Sequence, residues 1–192
     1  MKRQVETYLP TKFGNYKMII YADSETDVKP HFVLCHTQLN IEESVTVRIH
    51  SECLTGDLLG SQRCDCGEQL DTALEMINDK KGILIYLRQE GRGIGLINKL
   101  KAYNIQDTGR NTVDANTDLG FKPDLRKYDM GIQILQDIGV RSIDLITNNP
   151  RKIEAIENSE IKFNSRIPLV IPSNIENEEY LQVKKELMGH LY

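Results

Sequence analysis

The alternation of short apolar runs with segments of helical periodicity constrains the fold of this chain more than any other sequence feature. Six runs have the length and pattern of β-strands, at residues 17–22, 31–36, 44–50, 82–87, 143–147 and 167–171. Helical periodicity occurs at residues 68–81, 96–104, 128–139, 150–158 and 177–190. Strands come first and strand–helix alternation follows. We therefore predict an α/β fold: a single domain over residues 1–192, with a mixed β-sheet, helices packed on it, and a C-terminal helix or tail at about 174–192.

Composition and charge limit the class of protein, the partners and the cellular compartment that we expect. Hydrophobic residues make up 40% of the chain and charged residues 27%, as in ordinary soluble globular proteins. The formal net charge of -4 argues against a broad nucleic-acid or membrane surface. We expect neither as a partner, and any anionic ligand must be held by local positive charge. Residues 1–14 lack the apolar core of a signal peptide and no apolar run approaches membrane-spanning length, so we expect a cytoplasmic protein.

Three of the four cysteines are clustered, with the spacing C-x10-C-x-C at Cys53, Cys64 and Cys66. Clustered cysteines in the cytoplasm more often bind metal or do chemistry than form disulfides. Thiolates suit zinc, and three protein ligands leave a fourth position open for water, as in catalytic zinc sites. A structural zinc knuckle is the alternative, and it needs a fourth ligand from His50 or Cys35. The apolar surroundings of Cys35 favour a buried small hydrophobe.

The strand predicted at 44–50 leads directly into this cluster. Its alternation places Arg48 and His50 on one face and the valines and isoleucine on the other. In an isolated strand this pattern would favour a solvated polar face. Because the polar face ends at the cysteines, we favour a functional role for both side chains.

A glycine-rich segment at 88–95 (RQEGRGIG) has the composition of an anion site. It lies between a predicted strand and a predicted helix. Its glycines let backbone N–H groups approach an anion closely, and the helix N-terminus adds its dipole. Arg88 and Arg92 supply the positive charge. The segment matches neither a Walker A loop nor G-x-G-x-x-G, and a plain glycine turn is the alternative.

A second candidate anion site is the segment 147–152 (TNNPRK), which follows a predicted strand. Asn149 suits a helix N-cap and Pro150 the first helical position. Lys152 falls in the first turn of that helix, where it opposes the helix dipole unless an anion neutralises it. We therefore favour an anion-binding role for this segment.

Asp124 and Arg126 follow a proline in the polar stretch 111–129 between the two candidate anion sites. A carboxylate and a guanidinium on a loop could orient water and stabilise a departing phosphate, or could form a solvated surface pair. An open zinc and two phosphate-type sites in one domain indicate metal-assisted hydrolysis of a nucleotide. They do not indicate which nucleotide is hydrolysed.

Six ordered motifs resemble those of the GTP cyclohydrolase II family: RIHSECLTGD, RCDCGEQL, RQEGRGIGLINKLKAY, DANTDLGF, DLRKYD and TNNPRK. The resemblance covers nearly the whole chain, from LPTKFG, similar to the family's N-terminal strand, to KKELMGHL in its tail. It implies the family's fold and zinc-dependent hydrolysis of GTP to 2,5-diamino-6-(5-phospho-ribosylamino)pyrimidin-4(3H)-one, formate and pyrophosphate. This is the first committed step of riboflavin biosynthesis. The chain carries no second catalytic domain of the kind fused in some family members, so we expect this one step only.

The resemblance also implies roles for individual residues. Zinc, one per chain, is expected on Cys53, Cys64 and Cys66, with the open position for the water that attacks C8 of guanine. GTP contacts are implied for Arg48, Ile49, His50, Ser51, Glu52, Gln69, Glu90, Gly91, Arg92, Thr112, Thr147 and Lys152. The implied catalytic residues are Asp124 as proton acceptor, Arg126 as nucleophile at the α-phosphate, and Tyr103 as an aid to ring opening. Magnesium on the triphosphate and a homodimer are also implied.

The implied role of Arg126 conflicts with its chemistry. A guanidinium with a pKa above about 12 stays protonated and offers no lone pair. A charge clamp on the α-phosphate, with Asp124 orienting it or the water, is the better physical interpretation. Two rival functions, a zinc-stabilised nucleotide-binding regulator and a structural zinc-knuckle adaptor, need no combination of Asp124, Arg126 and Tyr103. Formate release from GTP discriminates them from the enzyme.

Overall fold

The computed structural model describes residues 1–191 and is organised around one seven-stranded sheet. The strands are β1 Lys2–Thr11, β2 Gly14–Ala22, β3 His31–His36, β4 Val45–Ser51, β5 Ile83–Leu87, β6 Ser142–Ile146 and β7 Lys162–Ile167. Their order across the sheet is β1-β2-β3-β5-β4-β6-β7. The pairs from β1 to β5 are antiparallel, whereas β5–β4, β4–β6 and β6–β7 are parallel. The predicted α/β class with a mixed sheet is confirmed.

Helices cover this sheet and lie close to the predicted positions. They are α1 Leu54–Asp57, α2 Cys66–Lys80, α3 Gly95–Gln106, α4 Thr112–Asp118, α5 Asp129–Ile138, α6 Pro150–Glu157 and α7 Glu178–Met188, with a 3-10 turn at Glu90–Gly93. The short helices α1 and α4 were not predicted, because neither has an apolar face long enough to show periodicity. Asn111 starts α4 by accepting hydrogen bonds from the Val113 and Asp114 backbone N–H groups. Among residues 1–191, no helix has the length and apolar character needed to span a bilayer.

The strand predicted at 167–171 is wrong. The last strand is the polar β7, and the run after it lies outside the sheet. Pro168 lies within the predicted run and Pro172 follows it, and neither has the backbone donor that a strand ladder needs. Leu169 is nevertheless buried, so the run packs into the core without becoming a strand. The first strand, β1, lay outside the apolar runs because it is an exposed edge strand.

Apolar side chains fill both faces of the sheet. One face packs against α5 and α6 around Val47, Ile49 and Ile85, and the other packs against α2 around Leu84 and Ile77. Cys35 belongs to the first cluster, is 5% exposed, and has its pKa raised to about 12 by burial. The prediction that Cys35 is a buried hydrophobe is confirmed.

The parallel part of the sheet positions the candidate site. Because β4, β5 and β6 run in the same direction, their carboxyl ends meet at one edge. The cysteine segment follows β4, the glycine-rich segment follows β5, and the segment 147–152 follows β6. Ligand clefts in α/β proteins occur at this edge. The sheet therefore brings together three motifs that are up to about a hundred residues apart.

Candidate active site

A cleft that is open to solvent lies at this edge. Most of the residues predicted from the sequence line it: Arg48, His50, Ser51, Glu52, Cys53, Cys64, Cys66, Gln69, Glu90, Gly91, Arg92, Tyr103, Thr112, Arg126, Thr147 and Lys152. Two do not. The Ile49 side chain is fully buried in the core on the opposite face of the sheet, and Asp124 lies behind Arg126.

The three clustered cysteines form a compact sulfur triangle. The Sγ atoms of Cys53 and Cys64 are 3.7 Å apart, and all three sulfurs lie within 4.8 Å of one another. A tetrahedral zinc with Zn–S bonds of about 2.3 Å needs sulfurs about 3.8 Å apart. The spacing therefore fits three ligands of one tetrahedral ion. Neither ring nitrogen of His50 lies within the group of candidate ligand atoms, and Cys35 lies in the core. Neither residue is therefore placed as the fourth ligand.

Two glycines that the sequence analysis did not single out allow this triangle to form. A Cβ on Gly56 would lie 2.9 Å from Cys64 Sγ and 3.2 Å from Cys53 Sγ. A Cβ on Gly67 would collide with the Gly56 carbonyl oxygen. Helix α1 can therefore approach the start of α2 only because both positions lack a side chain. Each glycine sits one to three residues from a clustered cysteine, which is the signal that could have identified them.

Thiol–thiol hydrogen bonds divide the charge unequally within the triangle. The thiols of Cys64 and Cys66, and then the Lys99 ammonium, hold the pKa of Cys53 far below its usual range. The same contact with Cys53 raises the pKa of Cys64 to about 11. Because a metal binds the thiolate form of cysteine, binding of a divalent cation here would release the protons that the thiols carry.

Lys99 and Glu90 support the triangle from α3 and the glycine-rich segment. The Lys99 ammonium donates to Cys53 Sγ at 3.0 Å, to Thr55 Oγ1 at 2.9 Å and to Glu90 Oε1 at 2.8 Å. The other Glu90 oxygen accepts from the Leu54 backbone N–H at 2.6 Å. Both oxygens of Glu90 are thus engaged within the protein. Sequence reasoning missed Lys99, because nothing in NKLKAY separates it from Lys101.

Asp57 also fixes the position of Cys53, through its backbone. Its carboxylate accepts from the Cys53 backbone N–H at 3.0 Å and from the Tyr86 hydroxyl at 2.7 Å, and it contacts His50. His50 is 3% exposed and Arg48 is 5% exposed, so the alternative of a solvated face for β4 is excluded. Arg48 instead donates to Gln69 Oε1 at 2.6 Å and to the Ile146 carbonyl at 3.1 Å.

The glycine-rich segment presents Arg92 in an unusual backbone conformation. Arg92 has a φ of 60° and Gly91 a φ of 62°, in the left-handed region that non-glycine residues avoid. Both terminal nitrogens of the Arg92 guanidinium are buried without a hydrogen-bond partner among the described residues 1–191. Arg88 is instead paired with Glu52 at 2.9 Å. Of the two arginines expected to meet an anion here, Arg92 is the one placed to do so.

The segment 147–152 has the predicted helix start. The Asn149 side chain accepts from the Arg151 backbone N–H, and Pro150 is the first residue of α6. Lys152 is buried, with its ammonium donating to the Ile49 carbonyl at 2.6 Å. Burial, followed by the charges of Arg48, Arg126 and other cations nearby, holds the pKa of Lys152 well below its usual range. An anion in the cleft would relieve this crowding of positive charge.

Asp124 and Arg126 form a tight pair on one side of the cleft. Arg126 Nε and Nη2 donate to the two Asp124 oxygens at 2.9 and 2.8 Å, and Arg151 Nη1 approaches the same carboxylate at 2.8 Å. The Asp124 side chain is 6% exposed and that of Arg126 15%, which excludes the alternative of a solvated surface pair.

Hydrogen bonds and charges shift the pKa of both Asp124 and Arg126. Burial would raise the pKa of Asp124, but the hydrogen bonds and charge of Arg126 outweigh it and hold that pKa below its ordinary value. For Arg126, burial is outweighed by Tyr128 and Asp124, which raise its pKa above its ordinary value. A charged guanidinium has no free lone pair, so its chemistry favours binding an anion over nucleophilic attack.

Comparisons with known proteins show which family and which relatives this chain is similar to. The sequence model of the family GTP cyclohydrolase II matches residues 2–168. The riboflavin biosynthesis protein RibBA of Bacillus cereus strain G9842 is 52% identical over 190 residues, which is 98% of this chain and 48% of the relative. RibBA of Bacillus subtilis strain 168 is 53% identical over 194 residues, 100% of this chain and 48% of the relative. RibBA of Chlorobium phaeovibrioides is 50% identical over 192 residues, 100% of this chain and 47% of the relative. The chain thus spans about half the length of the curated relatives it matches.

Proposed function

The chain belongs to the GTP cyclohydrolase II family, and from this membership we propose that it hydrolyses GTP to 2,5-diamino-6-(5-phospho-ribosylamino)pyrimidin-4(3H)-one, formate and pyrophosphate. This reaction would be the first committed step of riboflavin biosynthesis, the process named in the titles of the RibBA relatives. One observation carries the proposal. A three-sulfur metal site and a set of buried cations line the same cleft. Ring hydrolysis needs the first and triphosphate binding needs the second.

The metal is proposed to be one zinc ion per chain, held by Cys53, Cys64 and Cys66. The sulfur spacing and the donor set both support it, since three thiolates suit zinc and leave its fourth position open. Zinc bound in this way lowers the pKa of its water to about 7 and so supplies hydroxide at neutral pH. Asp57 would hold Cys53 by its backbone N–H and Lys99 would hold it by its sulfur. Tyr103, whose hydroxyl lies 3.4 Å from Thr55 Oγ1, is proposed to assist ring opening.

The phosphate chemistry is proposed to rest on different residues. Arg126 would clamp the α-phosphate, because its planar fork is already oriented by Asp124. Its raised pKa supports this role over that of nucleophile. The lowered pKa of Asp124 makes it a weak base, which supports an orienting role over proton acceptance. Arg92 and Lys152 would bind the remaining phosphates together with magnesium.

The other expectations remain part of the proposal. GTP is proposed to contact the side chains or backbone of Arg48, Ile49, His50, Ser51, Glu52, Gln69, Glu90, Gly91, Arg92, Thr112, Thr147 and Lys152. All of these except Ile49 line the cleft. Residues 1–192 are proposed to act as one domain, in a cytoplasmic homodimer.

Incubation of the zinc-loaded protein with GTP and magnesium, with formate and pyrophosphate measured separately, tests the function. We expect both products. A protein that binds GTP without releasing formate would be a nucleotide-binding regulator, and one that ignores GTP would be a structural adaptor. Either result would overturn the proposal.

Cys64→Ser separates the two chemistries. Zinc is needed at the purine ring, whereas the α-phosphate lies across the ribose and depends on Arg126. The variant should lose formate release and retain some pyrophosphate release, with GMP as the product. Circular dichroism and GTP binding must first show an intact fold, because metal sites often stabilise their own loops. Complete loss of pyrophosphate release in an intact variant would show that the two steps are obligately coupled.

A further inference from the structure

The C-terminal helix α7 lies outside the part of the chain that the family's sequence model matches, which ends at residue 168. It nevertheless forms one wall of the cleft. The side chains that it and the residues after it contribute are Tyr180, Lys184, Met188 and His190. The sequence predicted only a C-terminal helix or tail here, at about 174–192, and assigned it no role in the site. Helix α7 instead contributes side chains directly to the cleft.

Lys184 joins α7 to the cysteine segment. Its ammonium lies 2.7 Å from Asp65 Oδ1, and the two side chains are only 11% and 1% exposed. Asp65 stands between Cys64 and Cys66 in the sequence, so this ion pair acts on the turn that carries two of the three sulfurs. A buried pair of this kind fixes geometry, because separating it leaves a buried charge without compensation.

The same pair reaches a residue of the proposed GTP site. The other oxygen of Asp65 accepts from the Gln69 side-chain amide, and the Gln69 carbonyl oxygen accepts from Arg48 at 2.6 Å. Lys184, Asp65, Gln69 and Arg48 thus form a continuous chain of polar contacts. The order of donors and acceptors along it fixes the Gln69 amide orientation, with its oxygen toward Arg48.

Two further contacts place α7 over the site. The Tyr180 ring lies 4.4 Å from the Lys184 ammonium and 5.9 Å from the Arg92 guanidinium carbon. Helix α7 thus covers the arginine whose terminal nitrogens have no hydrogen-bond partner in the part of the chain that the structure describes. Beyond the helix, the Leu191 backbone N–H donates to the Asn148 carbonyl at 2.8 Å. The C-terminal region therefore spans the cleft from the cysteine segment to the segment 147–152.

We propose that α7 is a functional part of the GTP site and that Lys184 is a positioning residue for it. Through Asp65 and Gln69, Lys184 holds Arg48 and the Cys64–Cys66 turn in the arrangement that binds nucleotide and metal. This inference rests on the proposed function for its substrate. The competing explanation is that Lys184 only attaches α7 to the rest of the protein.

The test compares Lys184→Met with Lys185→Met, a matched control on the next, exposed position of the same helix. For each zinc-loaded variant we would measure KM and kcat for GTP, the rate of zinc loss to a chelator, and the melting temperature. We expect Lys184→Met to raise KM at least 10-fold with a smaller change in kcat, and to release zinc at least 5-fold faster. Lys185→Met should stay within 2-fold of the wild type in both.

Lys184→Gln keeps a donor toward Asp65 without the charge, so its KM and its rate of zinc release should lie between those of the wild type and of Lys184→Met. It replaces Lys184→Met in the test if the methionine variant does not fold. A lower melting temperature with unchanged KM and unchanged zinc release would identify a purely structural contact and overturn the inference. Failure of the positioning role can be distinguished from failure of the proposed function. If the wild type releases no formate from GTP, that function fails, while faster zinc release from Lys184→Met would still support the positioning role.

Discussion

Replacing Lys99 by methionine removes the cation that stands between the sulfur triangle and Glu90. The ammonium makes three hydrogen bonds, to Cys53, Thr55 and Glu90, at 2.8 to 3.0 Å. Methionine has a similar length and apolar stem, so the change removes charge and donors with little loss of packing volume. Lys101, two residues later on α3, is exposed, and Lys101→Met is the matched control.

The loss of stability expected for Lys99→Met follows from the burial of the Lys99–Glu90 ion pair. The Lys99 and Glu90 side chains are 11% and 9% exposed, and removing one partner of a buried ion pair costs about 3–5 kcal/mol. Glu90 keeps the backbone donors of Leu54 and Gly91, which argues for the lower end, about 3 kcal/mol. In a chain of this size each kcal/mol shifts the melting temperature by roughly 2–4 °C, so the expected decrease is about 6–12 °C. Loss of a contact behind a metal ligand typically weakens metal binding by about 10–100-fold.

Thermal unfolding followed by circular dichroism, with zinc affinity measured by competition with a chelator, checks both magnitudes. Lys101→Met should change stability by no more than about 0.5 kcal/mol, as exposed substitutions do. The reasoning is refuted if Lys99→Met melts within 2 °C of Lys101→Met and binds zinc equally well. That result would mean that Glu90 and Cys53 need no buried cation between them.

Three further predictions concern the metal site and the Asp124–Arg126 pair. Gly56→Ala should lose zinc, because the new methyl group would lie 2.9 Å from Cys64 Sγ; elemental analysis of this variant beside the wild type checks this, and equal zinc contents would contradict it. Arg126→Lys keeps the charge but loses the planar fork, so pyrophosphate release should fall about 10-fold or more; a near-normal rate would remove Arg126 from the phosphate step. The lowered pKa of Asp124 means that its ionised form stabilises the fold fully above its unfolded pKa of about 3.9 and progressively less as pH falls through the lower folded value. The stability difference between wild type and Asp124→Asn, from urea unfolding, should therefore shrink below about pH 4, and a difference that stays constant would disprove the pairing.

The sequence by itself determined the elements that have a strong local pattern. The apolar alternation of β4 placed Arg48 and His50 on one face, and the apolar face at i, i+3, i+4 and i+7 gave α2 to within two residues of its ends. The spacing of the three cysteines indicated a metal site with three ligands, and their sulfurs do lie together. These features succeed because side-chain direction along a strand or helix follows from residue number alone.

The tertiary structure decided the features that depend on distant partners. Lys99 and Lys101 are equivalent in the sequence, as are Lys184 and Lys185, and only the packing of α3 and α7 buries one of each pair. The apolar run 167–171 predicted a strand, yet β7 ends at Ile167, the first residue of the run, and residues 168–171 lie outside the sheet. Local periodicity states which side of an element is apolar, but not which other element will cover it. The active-site cleft exists because parallel pairing of β4, β5 and β6 brings their carboxyl ends to one edge, and that pairing is a property of the whole chain.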